Sequence, residues 1–198
     1  MDLILKSLTA PSRLGILAGS FHPITKAHIA LAEAALAKAD EVLFVMPRQF
    51  PHKRYEGVSL VDRIEMVRHS VQGEPRFGVA VSDGGLFLEI AREARRHYPG
   101  AELWFLCGAD AAARIVEWRY EGESIEEQLD EYGLLVADRQ ARYEPPPHLV
   151  QRIRQLPLDA DWNDLSATEV RRRIKAGEPW RHLVPQQIVE MAARLYER

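Results

Sequence analysis

One segment concentrates side chains that can do chemistry on phosphate. It reads Gly19-Ser20-Phe21-His22-Pro23-Ile24-Thr25-Lys26-Ala27-His28 and joins a short apolar run, 13–18, to an Ala- and Leu-rich stretch, 26–39. A glycine at such a junction lets the backbone approach a ligand closely. The helix that follows presents unpaired N–H groups and the positive end of its dipole, which suit an anion. Thr25 and His28 are three residues apart, so both face the same side of the first helical turn. Spacing alone equally allows Thr25 to be an ordinary N-cap and His28 a half-exposed helix residue. The segment is neither the G-x-G-x-x-G dinucleotide fingerprint nor a Walker loop, because no G-K-[ST] follows.

Other candidates lie far away in sequence. Lys53 sits in the polar stretch RQFPHKRYEG. Gly108-Ala109-Asp110 follows an apolar run, where Asp110 could be the N-cap of a helix beginning at 111. Trp118 is either core or a flat platform for an aromatic base. Ser166, Thr168 and Arg171 open a predicted helix, where Ser166 and Glu169 have the spacing of a capping box. Arg172, Arg173 and Lys175 read as a solvated run, and Cys107 as a packing residue.

These residues need elements to bring them together. Strands are predicted at 13–18, 41–46, 77–81, 102–107 and 133–137, each a short apolar run. Helices are predicted at 26–39, 60–71 (capped by Ser59), 86–97, 123–131, 148–155, 166–175 and 185–196. The alternation predicts an α/β fold, a Rossmann-like doubly wound parallel sheet with a C-terminal helical lobe. The boundary falls at Pro145-Pro146-Pro147, separating an α/β core of about 13–144 from a helical part of about 148–198 within a single domain. In such sheets ligands bind beyond the carboxyl ends of the strands. Loops 19–28, 47–53 and 108–119 are predicted there, joined by Ser166–Arg171.

Composition narrows the class. The 198 residues carry 26 basic and 29 acidic side chains, a net charge of −3. That balance disfavours a dedicated nucleic-acid binder, and RRRIK alone does not reverse it. One cysteine excludes an internal disulfide framework or a multi-cysteine zinc site. No apolar run approaches the roughly 18 residues of a membrane span, and MDLILKSLTAPS lacks the basic start of a secretory signal, so a cytoplasmic protein is expected. Nothing in the sequence specifies an oligomeric state.

GSFHPITKAH resembles the signature loop of the nucleotidylyltransferase superfamily, G-[ST]-F-x-P-[TH]-x-x-H with one spacer residue before the Thr/His. It is especially similar to that of the nicotinamide/nicotinate mononucleotide adenylyltransferases. Pro51-His52-Lys53 resembles the family's basic loop, and Asp62-Arg63-Ile64-Glu65-Met66 the helix after it. Gly108-Ala109-Asp110 resembles its G-x-D turn, and Leu165-Ser166-Ala167-Thr168-Glu169-Val170-Arg171 its C-terminal [IL]-S-x-T-x-[IV]-R motif.

The resemblance implies transfer of AMP from ATP to a pyridine mononucleotide with release of pyrophosphate, in NAD biosynthesis. Mg2+ would arrive with ATP. His28, Lys53 and Arg171 would be catalytic. ATP would meet Gly19, Ser20, Phe21, Thr25, His28, Gly108, Asp110, Ser166, Thr168 and Arg171. The mononucleotide would meet Ser20, Phe21, Lys53, Phe87 and Trp118. Three departures stand out. His22 replaces the usual Asp or Asn, and Ala27 replaces a frequent Gly. The Ser-Tyr-Thr cluster that bacterial nicotinate-type members carry after the third predicted strand is absent from 82–88, where Phe87 remains. A phosphopantetheine-type or other phosphate-ester acceptor, or a non-catalytic nucleotide-binding module, is the alternative.

Overall fold

The computed structural model describes residues 1–7, 10–49, 57–137, 143–158 and 165–197. In chain order its elements are β1 (Asp2–Leu5), β2 (Arg13–Ala18), α1 (Lys26–Ala35), β3 (Glu41–Pro47), α2 (Leu60–Val71), β4 (Phe77–Ser82) and α3 (Phe87–His97). There follow β5 (Glu102–Gly108), α4 (Ala109–Glu117), α5 (Ile125–Glu131), β6 (Gly133–Ala137), β7 (Ile153–Leu156), α6 (Ala167–Ala176) and α7 (Val189–Tyr196).

The strands form one sheet in the order β1-β4-β3-β2-β5-β6-β7. All neighbours pair in parallel except β1, which lies antiparallel to β4. Parallel strands covered on both faces are apolar throughout, and β3 is buried at every residue. Successive side chains feed opposite layers. Val42, Phe44 and Met46 join α1, α2 and the C-terminal segments, while Leu43 and Val45 join α3 and α5. The C-terminal residues Val170, Trp180, Ile188 and Ala192 belong to the same buried cluster as α1 and α2.

From β2 the chain moves outward through β3 and β4, then returns to lay β5 on the other side of β2. The β2/β5 boundary is therefore the switch point, where a crevice opens beyond the strand ends. Ile16 pairs with Phe105, so Gly19 and Gly108 each lie three residues farther along adjacent strands.

Several elements differ from the sequence reading. The helix predicted at 148–155 is a 3-10 turn, Pro147–Leu149, followed by β7. The open edge of β6 supplies the N–H and C=O partners that decide for a strand there. Residues 109–117 of the predicted loop 108–119 are helix α4. β1 is an edge strand that the sequence reading did not assign. α1 stops at Ala35 rather than 39, because Asp40 turns back onto the start of β2: its carboxylate accepts from the N–H groups of Ser12 (3.0 Å) and Arg13 (2.8 Å). The last predicted helix begins as a 3-10 turn at Gln186–Ile188 and continues as α7.

Gly133 opens β6 beneath the Trp104 ring, where a Cβ would lie 2.4 Å from ring carbons. Trp104 is 2% exposed and capped by the Arg154 guanidinium 4.3 Å from its centroid, so it has no room to retreat. Gly133→Ala is expected to cost about 3 kcal/mol by overpacking, read as a lowered denaturant midpoint. An unchanged midpoint would show that the ring can shift.

Candidate active site

The loop leaving β2 has an unusual backbone. Phe21 adopts φ 44°, a left-handed conformation disfavoured for a non-glycine residue, and the His22–Pro23 peptide is cis. Phe21 is 1% exposed and packs on Phe44, so only its backbone can meet a ligand. Gly19 makes room for it: a Cβ there would lie 3.3 Å from the Phe21 ring. The Gly19 N–H donates to the Val45 carbonyl at 3.0 Å.

Thr25 is the N-cap of α1 and is fully buried. Its backbone N–H donates to Nδ1 of His28 at 3.0 Å, and its Oγ1 lies 2.8 Å from the same nitrogen. An acceptor Nδ1 carries no proton, so in the neutral ring the proton sits on Nε2. The Phe21 ring meets the imidazole edge-on at 5.2 Å. Capping and chemistry thus coincide: the contact that starts the helix also makes Nε2 a hydrogen-bond donor at its N-terminus. Thr25 acts on His28 from behind.

The C-terminal motif reaches this loop directly. Arg171 Nη1 donates to the carbonyl of His22, across 149 residues, and Nη2 donates to Thr168 Oγ1 at 3.3 Å. Ser166 caps α6, accepting from the N–H of Glu169 at 3.1 Å. The reciprocal half of the predicted capping box is replaced. The Glu169 carboxylate pairs with Arg172 and Arg173, which hold it down to about 2. Arg172 is exposed and Arg173 half-covered, each in an ion pair rather than merely solvated.

Gly108 ends β5 and is the N-cap of α4, so exposed Asp110 lies inside the first turn rather than capping it. Trp118 is 59% exposed, which excludes the core reading. It follows the nine residues of α4, roughly 14 Å from Gly108 along the helix. Phe87 is half-buried and stacked on Phe105 at 4.2 Å, a packing role on the other face of the sheet. The segment before it spends its N–H groups internally: Asp83 and Gly84 donate to Glu93, Gly85 and Leu86 to Glu89. Lys53, with Pro51 and His52, lies outside the described residues.

Sequence reasoning assigned no role to two side chains. Arg63, 5% exposed in α2, donates from Nη1 to the Ser20 carbonyl at 2.7 Å. The Tyr196 hydroxyl lies 2.6 Å from His22 Nδ1. Arg63 stands in a quoted motif and was traceable there, whereas nothing in sequence ties Tyr196 to residue 22. Burial raises the Tyr196 phenol above its ordinary value, against a smaller downward pull from Arg63 and Arg171, so it stays protonated at neutral pH. Cys107 is also buried, its thiol pushed up to about 12. It is expected not to react with a thiol reagent until the protein unfolds, as a titration with and without denaturant would show.

Among the described residues, no three His, Cys, Asp or Glu side chains gather to hold a metal ion, and no helix is long and apolar enough to cross a membrane. A hydroxyl, an imidazole N–H and a guanidinium are instead donors for anionic oxygen.

The cytidylyltransferase-like family model matches residues 16–173. A "Probable nicotinate-nucleotide adenylyltransferase" of Thermus thermophilus is 35% identical over 183 residues, covering 89% of this chain and 94% of the relative. One of Herpetosiphon aurantiacus, described in the same words, is 29% identical over 92% of this chain and 96% of its own. In structure, the Plasmodium falciparum nicotinic acid mononucleotide adenylyltransferase complexed with NaAD superposes with a TM-score of 0.68 at 15% identity. That superposition covers 93% of this chain and 98% of the other, a likeness of fold. The matched span runs from β2 into α6 and so takes in both the helix start that holds His28 and the helix that holds Arg171: the chain belongs to the cytidylyltransferase-like family and, within it, to the nicotinate-nucleotide adenylyltransferases.

Proposed function

We propose that this protein transfers the adenylyl group of ATP to nicotinate mononucleotide, releasing pyrophosphate, as a step of NAD biosynthesis. The acceptor phosphate oxygen attacks the α-phosphorus, and the bond from that phosphorus to the pyrophosphate oxygen breaks. The attacking oxygen is already ionised near neutral pH, so no general base is needed. Catalysis consists of positioning and charge stabilisation.

The observation that carries this reading is the pair of anchored donors at one rim. His28 is held by Thr25 with its proton on Nε2, and Arg171 is bonded to the same loop through the His22 carbonyl. His28 stabilises the α-phosphate as it becomes five-coordinate. Arg171, Thr168 and Ser166 face the remaining phosphates of ATP, and the N–H groups of Ser20 and Phe21 serve the phosphate between the two substrates. Gly108 and Asp110 serve the nucleotide across the switch point, Lys53 neutralises phosphate charge, and Trp118 offers its exposed ring to the pyridine. Mg2+ enters with ATP as part of the substrate, held by phosphates and water; the donors described here suit the phosphate oxygens.

A second acceptor reading rests on the segment 83–86. Its four N–H groups are taken by the Glu89 and Glu93 carboxylates, which leaves them unavailable to a nicotinate carboxylate and favours a neutral amide. The test is pyrophosphate release from ATP and Mg2+ with nicotinate or nicotinamide mononucleotide. Release with nicotinate mononucleotide supports the first reading, and release with the amide alone the second. Release with neither rejects pyridine mononucleotide adenylation.

A further inference from the structure

We propose that Tyr196 is a positioning residue for the loop between β2 and α1, acting through His22; the proposal rests on the adenylyl-transfer reading of that loop. Tyr196 stands in the last turn of α7, 174 residues from His22, with its hydroxyl 2.6 Å from Nδ1 and the two rings 5.2 Å apart at 45°. His22 is 7% exposed, so its imidazole is committed to the C-terminal helix. The same residue is gripped at its main chain, because its carbonyl accepts from Arg171.

Two observations make this grip matter. Phe21, the preceding residue, holds φ 44°. Such a conformation persists only where its surroundings over-determine it. The anchors come from three separate helices: Arg63 of α2 on the Ser20 carbonyl, Arg171 of α6 on the His22 carbonyl, and Tyr196 of α7 on the His22 ring. Moreover, the loop borders open space on its His22 side. A cleft of about 590 Å³, lined by Gly57, Ser59, Asp62, Arg171, Leu195 and Tyr196, lies against His22. Loss of the hydroxyl removes one of the contacts that hold the ring beside this cleft, and the carbonyl that accepts from Arg171 belongs to the same residue. The Tyr196 hydroxyl bonds to His22 rather than to a donor aimed at substrate, so the bond reaches the chemistry through the loop.

The test uses the full chain, with Tyr196→Phe, His22→Leu and the double variant assayed for pyrophosphate release beside thermal melting. Each single variant is expected to lower kcat about tenfold through misplacement, with the KM for ATP little changed. The double variant should fall no further than either single, because both remove one bond. An unchanged kcat in Tyr196→Phe, or an additive loss of about a hundredfold in the double variant, overturns the proposal. If Tyr196→Phe melts too low to assay, an unchanged kcat in His22→Leu does the same. If the wild type releases no pyrophosphate, the activity reading fails by itself. The positioning claim is then read from the amide NMR signals of Ser20 and Phe21: a shift in Tyr196→Phe supports it, and unmoved signals overturn it.

Discussion

His28→Ala is expected to lower turnover by about 10²–10³-fold, the loss typical of removing one preorganised donor to a developing charge. The magnitude follows from how the ring is held. Thr25 donates its N–H to Nδ1, which fixes the proton on Nε2, and Phe21 fixes the ring plane. A donor set in this way costs no reorganisation as the α-phosphate gains charge, whereas water replacing it must reorient. The fold should survive. His28 is half-buried, and the buried Thr25 N–H loses one hydrogen bond, a cost of about 1–3 kcal/mol that is less than the stability of a typical domain. Saturating-substrate rates of pyrophosphate release, with a thermal melt as control, check this. Near-wild-type turnover in a natively melting variant would remove His28 from the chemistry.

Arg171→Ala is expected to cost about 10²-fold in kcat/KM for ATP, or roughly 3 kcal/mol. Two losses combine. A cation leaves the phosphates, and the His22 carbonyl and the Thr168 hydroxyl lose the planar fork that spans them. Arg171→Lys should recover little, because an ammonium cannot bridge two acceptors in the same geometry. The measurement is kcat and KM for ATP in both variants. A Lys variant that works as well as wild type would reduce Arg171 to a point charge and remove its bridging role.

The layered α/β core was legible because its cause is local. Runs such as Val42–Met46 and Gly133–Ala137 are apolar at consecutive positions, as strands covered on both faces must be. The capping residues Ser59, Thr25 and Ser166 were also legible, since a cap is set by residues within one turn. β7 was not: the four residues IRQL carry no period long enough to separate strand from helix, and the unpaired edge of β6 made the choice. Asp110 was misplaced by a few residues because α4 starts without a gap at the end of β5, with Gly108 as its cap.

For the site, sequence by itself determined which groups are present: a glycine-led strand-to-helix junction, Thr25 and His28 one turn apart, and a Ser-x-Thr-x-x-Arg helix start. Tertiary structure decided what those groups do. It placed Gly19 and Gly108 at the ends of adjacent strands, brought Arg171 to the His22 carbonyl, left Trp118 exposed and turned Phe87 into a stacking partner of Phe105. It also tied Tyr196 to His22, a contact that no spacing announces. The physical reason is range. Helix starts and buried strands are fixed by neighbours within a few residues, whereas hydrogen bonds spanning 149 and 174 residues exist only once the sheet order and the packing of α6 and α7 are set.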